Sequence, residues 1–173
     1  SKKAFSLTAQ YESTIDKYLS EDILPNKLNL SYTKYQDLRY GENPQQKSSV
    51  YTDNSSTLGI LNSHIHQGKE LSYNNIMDAD AALACLKEFK TPTCVIVKHA
   101  NPCGVAMAEN IFEAYSRAFN ADSLSAFGGV IAMNKKCDDI VAEEISKVFV
   151  EIVVAPSFSN EALNIFSKKK NLR

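Results

Sequence analysis

Lysine and histidine stand side by side at Lys98-His99, where the apolar run Cys94-Val95-Ile96-Val97 gives way to Ala100-Asn101-Pro102-Cys103-Gly104. The run predicts a buried strand over 94–98, and the proline and glycine predict the turn that breaks it. Strand ends that deliver proton-active side chains are where α/β enzymes build sites. Histidine, with an ordinary pKa of about 6.5, suits proton transfer near neutral pH, and an adjacent ammonium can steady charge developing on a reacting oxygen. On residue types alone two readings stand level: a catalytic pair, or a structural histidine satisfied by its neighbours.

Three further stretches hold groups with chemical uses. In Arg39-Tyr40-Gly41-Glu42-Asn43-Pro44-Gln45-Gln46 the guanidinium could grip a phosphate or carboxylate through two parallel hydrogen bonds. The plainer reading is an exposed arginine on a surface turn. Within Gly68–Asp78, the residues Asn74, Asn75 and Asp78 are candidate N-caps for a following helix. Gly128 and Gly129, at the end of Asp122-Ser123-Leu124-Ser125-Ala126-Phe127-Gly128-Gly129, permit either a left-handed backbone and close approach to a ligand or an ordinary helix-to-strand connection.

Metal chemistry finds little support. Pro102-Cys103 matches half of a zinc deaminase Pro-Cys-x-x-Cys signature, but position 106 is Ala and no His-x-Glu is present. His64 and His66 could share a metal on a strand edge, with no third ligand in view. Cys85, Cys94, Cys103 and Cys137 form no Cys-x-x-Cys pair and read as small apolar residues. No metal is expected.

The elements that must position these groups follow from periodicity. Phe5, Tyr11, Ile15, Tyr18 and Leu19 fall near one face of a helix over 4–20, followed by an extended, turn-rich stretch. Helices are predicted over 78–89, 110–120, 138–149 and 160–169, alternating with strands at 94–98, 129–133 and 151–155. Alternation of this kind predicts an α/β layer, largely parallel and covered on both faces. A length of 173 residues fits one domain, and a formal net charge of −1 offers no basic field for nucleic acid. No secretory signal or apolar membrane span is evident, so a cytoplasmic chain with reduced thiols is expected. The opening at Ser1 and the close at Arg173 read as cut ends, so a fragment of a longer protein is expected.

Five blocks occur in order: LRYGENPQQ (38–46), GKELSYNNIMDADAA (68–82), VIVKHANPCGVA (95–106), ADSLSAFGGVIAMN (121–134) and VEIVVAPSFSNEAL (150–163). Together they closely resemble the formyltransferase region of the bifunctional purine biosynthesis family that joins AICAR transformylase to IMP cyclohydrolase. The resemblance implies formyl transfer from 10-formyltetrahydrofolate, as co-substrate, to the 5-amino group of AICAR, giving FAICAR and tetrahydrofolate. It implies a three-layer α/β/α fold, the first cytidine deaminase-like half of that region, over 35–173. Residues 1–34 would be the helix and linker at the junction with the cyclohydrolase domain.

By the same resemblance, His99 takes the proton from the amine and Lys98 stabilises charge at the formyl group. Arg39, Tyr40, Asn75, Gly128 and Glu151 would contact AICAR. Family relatives complete the site with residues beyond Arg173 and act as homodimers, so a partial, weakly active or inactive site is expected. Neither a membrane nor a nucleic acid is an expected partner. The competing readings are a non-catalytic nucleotide-binding or dimerisation module and a deaminase-like hydrolase.

Overall fold

A computed structural model describes residues 1–53 and 59–173. The chain divides into two units: one holds Ser1–Gln36 with the strand Ser49–Thr52, the other Asp37–Ser48 with the chain from residue 59 onward. In the first, helix α1 (Lys2–Leu19) has no buried residue, and Phe5, Tyr11, Tyr18 and Leu19 are all exposed. Asn29 Nδ2 donates to Asp16 Oδ2 at 2.9 Å and ties the following stretch back to the helix. Strands β1 (Thr33–Asp37) and β2 (Ser49–Thr52) form a two-stranded sheet.

The second unit is built on a four-stranded sheet of order β4-β3-β5-β6, comprising β3 (Thr93–Lys98), β4 (Asn101–Met107), β5 (Val130–Met133) and β6 (Ile152–Val154). Strands β3, β5 and β6 are apolar on both faces because both are covered, whereas the edge strand β4 is largely exposed. Cys94, Ile96, Ile131, Met133 and Val153 point into a core with α3 (Ile111–Ala121), α5 (Asp139–Ser146) and α6 (Asn160–Ser167). Val95, Val97, Val130, Ala132 and Ile152 point to the opposite face, against α2 (Tyr73–Leu86). Side chains of successive strand residues leave on opposite sides, so one apolar run serves two cores. Each fully buried Ile or Val there stabilises the fold by about 1.5–3 kcal/mol. In α3 the buried positions Ile111, Ala114, Tyr115 and Ala118 keep helical spacing, and Asn110 caps the helix by accepting from the Glu113 N–H at 2.9 Å.

The unit is mixed α/β in three layers, but its sheet is not largely parallel. β3 runs antiparallel to both neighbours, and only β5 and β6 are parallel. The cause is β4, a strand where the proline and glycine pointed to a turn. Pro102 is tolerated because β4 is an edge strand. Gly104 is required because a Cβ there would lie 2.0 Å from the Ala118 carbonyl oxygen of α3. With β3 and β4 joined as a hairpin, α3 carries the chain past β3 to the far side, and β5 lands antiparallel to it.

Helix α2 also begins earlier than its apolar period indicates. Ser72 is the N-cap, and a reciprocal capping box with Asn75 fixes the start: the Asn75 N–H donates to Ser72 Oγ at 3.3 Å and the Ser72 N–H to Asn75 Oδ1 at 3.1 Å. A short helix, α4 (Ser123–Ala126), capped by Asp122, occupies the segment before Gly128 and Gly129 that the sequence left open between a ligand-approaching turn and an ordinary connection. Among the described residues no helix is long and apolar enough to cross a membrane.

Candidate active site

Reversal of β3 places its carboxyl end beside the amino ends of β5 and β6, since Val97 pairs with Val130 and Val130 with Ile152. Most of the residues singled out from the sequence lie at this end. Lys98, the last residue of β3, directs its ammonium at the loop before β5, where Nζ donates to the carbonyls of Phe127 at 3.0 Å and Gly128 at 2.9 Å. Gly128 has φ +69°, and a Cβ there would come within 2.9 Å of Lys98 Nζ and 3.3 Å of the Phe149 ring. Only glycine combines that backbone with that approach. The Gly128 N–H donates to the Phe149 carbonyl at 2.7 Å, and the Phe127 and Phe149 rings pack with centroids 5.4 Å apart.

His99 and Ala100 form the two-residue turn between β3 and β4, with Lys98 opposite Asn101. Both occupy the left-handed region, φ 52° and 60°, the only non-glycine residues to do so among those described. A two-residue hairpin favours positive φ at both positions, which is why Asn-Gly is its usual sequence. Histidine and alanine adopt it at a cost of about 1–2 kcal/mol per residue. Two hydrogen bonds hold the turn: Asn101 Nδ2 donates to the His99 carbonyl at 3.0 Å, and the Ala100 N–H donates to Asp78 Oδ1 at 2.7 Å. The His99 residue itself is exposed. One bulge lies nearby, where Cys103 is passed over between the Ile96–Gly104 and Val97–Pro102 pairs. Burial pushes the Cys103 thiol up and keeps it protonated, although the Lys98 charge opposes the shift.

Asn75 and Glu151 meet across the site. Asn75 is buried, and its Nδ2 donates to Glu151 Oε2 at 2.6 Å. The Glu151 N–H donates to the Gly129 carbonyl at 3.0 Å, so the carboxylate is anchored one residue from the loop that holds Lys98. Arg39 and Tyr40 are carried by an extended segment tied to the start of α2: the Arg39 N–H donates to the Leu71 carbonyl and the Tyr73 N–H to the Tyr40 carbonyl, both at 3.2 Å. Arg39 Nη2 donates to Tyr40 Oη at 2.9 Å, and the guanidinium lies 4.7 Å from the Tyr40 ring centroid.

The sequence reading did not single out Arg173, and it read Asp78 only as a helix cap. Arg173, with a side chain only 6% exposed, lies 4.0 Å from Glu151 Oε2 and donates through Nε to the Lys69 carbonyl at 2.8 Å. Burial, and then the nearby charge of Arg39, lowers its pKa from the ordinary arginine value, while Glu151 opposes the shift. Arg173 therefore lies within electrostatic reach of both a second guanidinium, that of Arg39, and the Glu151 carboxylate. No motif marks Arg173. Asp78, expected as a cap, instead braces the His99–Ala100 turn; its spacing of three from Asn75 on one helix face was the available signal.

No three His, Cys, Asp or Glu side chains gather for a metal among the described residues. His64 and His66 face each other edge-on with ring centroids 4.7 Å apart, and His66 also packs on Phe158. Chemically, the Lys98 end offers a fixed cation and, on the next residue of the chain, an exposed imidazole, groups suited to stabilising an oxygen that gains charge and to moving a proton. The Arg39–Tyr40 end offers a cation and a phenol suited to an anionic substrate.

A family model described as the AICARFT/IMPCHase bienzyme matches residues 1–173. The bifunctional purine biosynthesis protein PurH of Acetivibrio thermocellus is 52% identical over 177 residues, covering 99% of this chain and 34% of the relative. The chain thus spans about a third of the length of that curated relative. Among solved structures, forms 1 and 2 of Acinetobacter baumannii RibD match 56% of this chain at 18% identity and a TM-score of 0.40, over 32% and 33% of their own chains.

Proposed function

The chain belongs to the AICARFT/IMPCHase bienzyme family, and we propose that the Lys98 end is the catalytic part of a formyl-transfer site acting on AICAR and 10-formyltetrahydrofolate. His99 removes the proton from the 5-amino group as its nitrogen attacks the formyl carbon. A new C–N bond forms, the bond from that carbon to the folate N10 breaks, and N10 takes a proton, leaving FAICAR and tetrahydrofolate. An aromatic amine weakened by a neighbouring carboxamide gains from proton removal during attack, by about 10²–10⁴-fold for such catalysis. Lys98 stabilises the charge that develops on the formyl oxygen. Two of its three N–H donors are held by the Phe127 and Gly128 carbonyls, which leaves the third for that oxygen.

Arg39 and Tyr40 take the anionic part of AICAR, while Asn75, Gly128 and Glu151 line the side nearer the reacting amine. The site is partial: we assign most folate contacts to residues beyond Arg173, with a homodimer completing the site in the full-length protein. Residues 35–173 are then the first cytidine deaminase-like half of the transformylase region, and residues 1–34 the junction with the cyclohydrolase domain. The clamped Lys98 ammonium beside the exposed His99 is the observation that carries this reading. Release of tetrahydrofolate, followed by absorbance on mixing AICAR and 10-formyltetrahydrofolate with the full-length protein, tests it. Turnover that disappears in His99→Ala supports the reading, and turnover that persists in that variant overturns it.

A further inference from the structure

A left-handed turn made of histidine and alanine needs an outside restraint, and the one present comes from α2. The Ala100 N–H, which the two-residue turn leaves without a ladder partner, donates to Asp78 Oδ1 at 2.7 Å. Asp78 lies one turn beyond Asn75 on α2, and Asn75 fixes Glu151. The first half of a single helix therefore fastens two loops of the site, the one bearing His99 and the one bearing Glu151. Its own start is locked by the Ser72–Asn75 capping box, and Ala79 and Ala82 press it flat on the sheet. Across the turn, the Lys98 ammonium is pinned by a different loop. Lys98 and His99 are neighbours in sequence, yet their directions are set by separate elements.

We propose that Asp78 is a positioning residue for formyl transfer: its carboxylate holds the His99–Ala100 turn left-handed, and so sets the direction from which the imidazole meets the amine. The inference rests on the reading of His99 as the proton acceptor. A side chain displaced by about 1 Å costs on the order of 10²-fold in rate when it must meet a reacting atom in line. Removing the brace leaves both catalytic side chains in place and takes away only this alignment.

The test uses the full-length protein, with steady-state formyl transfer and thermal melting measured on each variant. Asp78→Ala is expected to lower kcat by about 10- to 100-fold with the AICAR KM unmoved. Asp78→Asn keeps an acceptor oxygen and is expected to lose less than about tenfold, since a neutral acceptor makes roughly half as strong a bond. The double variant Asp78→Ala/Ala100→Gly is expected to recover most of the lost kcat, because glycine holds positive φ without a brace.

An unchanged kcat in Asp78→Ala overturns the inference, as does a double variant that recovers nothing, which would assign the carboxylate a role other than holding backbone. Should Asp78→Ala melt early, Asp78→Glu carries the same test. It keeps the charge and the helix but moves the carboxylate by one methylene, and its kcat is expected to fall and to be restored by Ala100→Gly. His99→Ala run alongside separates the two claims. Turnover surviving there removes the functional reading itself, whereas an inactive His99→Ala beside a fully active Asp78→Ala removes only the positioning role.

Discussion

The Lys98 end of the site and the Arg39–Tyr40 end are held in different ways. Around Lys98 the groups are tied redundantly: an ammonium on two carbonyls, a glycine with no room for a side chain, and a buried amide on a carboxylate. Arg39 and Tyr40 hang from two backbone hydrogen bonds, and their side chains engage each other by a hydrogen bond and ring stacking. The first arrangement suits chemistry, where atoms must already be in line. The second suits capture, since an anion can draw the guanidinium away from the phenol without disturbing any core. If the proposed function holds, the contrast predicts that changes at one end act on kcat and changes at the other on KM.

The strongest way to break that contrast is Lys98→Met in the full-length protein. The expected loss is about 10²–10³-fold in kcat, as for removal of one preorganised donor to a developing oxyanion, with the AICAR KM near its starting value. A changed KM with intact kcat would erase the distinction. Next in size is Arg39→Ala, expected to raise the AICAR KM by about 10- to 100-fold, in line with a charged hydrogen bond of roughly 1.5–3 kcal/mol, and to leave kcat nearly alone. Arg39→Lys should recover little of it, because an ammonium does not reproduce the planar fork.

A smaller loss is expected from Gly128→Ala, which must accept left-handed strain of about 1–2 kcal/mol and displace the ammonium it would touch. About a tenfold fall in kcat with a lower melting temperature would place it with the Lys98 end.

The smallest effect is a pH dependence. Asp122 caps α4 and so steadies the carbonyls that hold Lys98; hydrogen bonds from the Ser125 hydroxyl and N–H hold its carboxyl below the ordinary value of 3.8. A folded-state pKa below the unfolded one means the cap stabilises fully above 3.8 and loses that contribution as pH falls through the lowered value. The melting-temperature gap between the parent protein and Asp122→Ala should therefore be constant from neutral pH down to about 5 and close in more acidic solution.

Much of this architecture could be read in advance. The central strand, α3, β5, β6 and α6 followed from unbroken apolar runs and helical spacing, because burial on both sheet faces leaves a clear compositional mark. The direction of β3 could not be read, since Pro102 and Gly104 are turn residues by local propensity and form a strand only because β4 is an edge closely overlaid by α3. The start of α2 was hidden because its first turn is set by a polar capping box and not by apolar period. Helix α1 shows the opposite limit: its apolar positions were correctly spaced, but spacing locates a helix without naming what it packs against. Within the site, Lys98, His99 and Gly128 were legible as residue types at a strand end and a loop, whereas the pairing of Asn75 with Glu151 joins positions 76 apart and left no local trace.

The hairpin that carries Lys98 and His99 has a further consequence in time. Its two strands are adjacent in sequence and close across two residues, a step that takes about 1–10 μs in isolated hairpins. The contacts that aim the pair span 22 residues to Asp78 and 30 to Gly128, and loop closure over such distances is slower to be rewarded. A folding chain thus brings Lys98 and His99 together early and acquires the contacts that direct them late, once helix and sheet have joined.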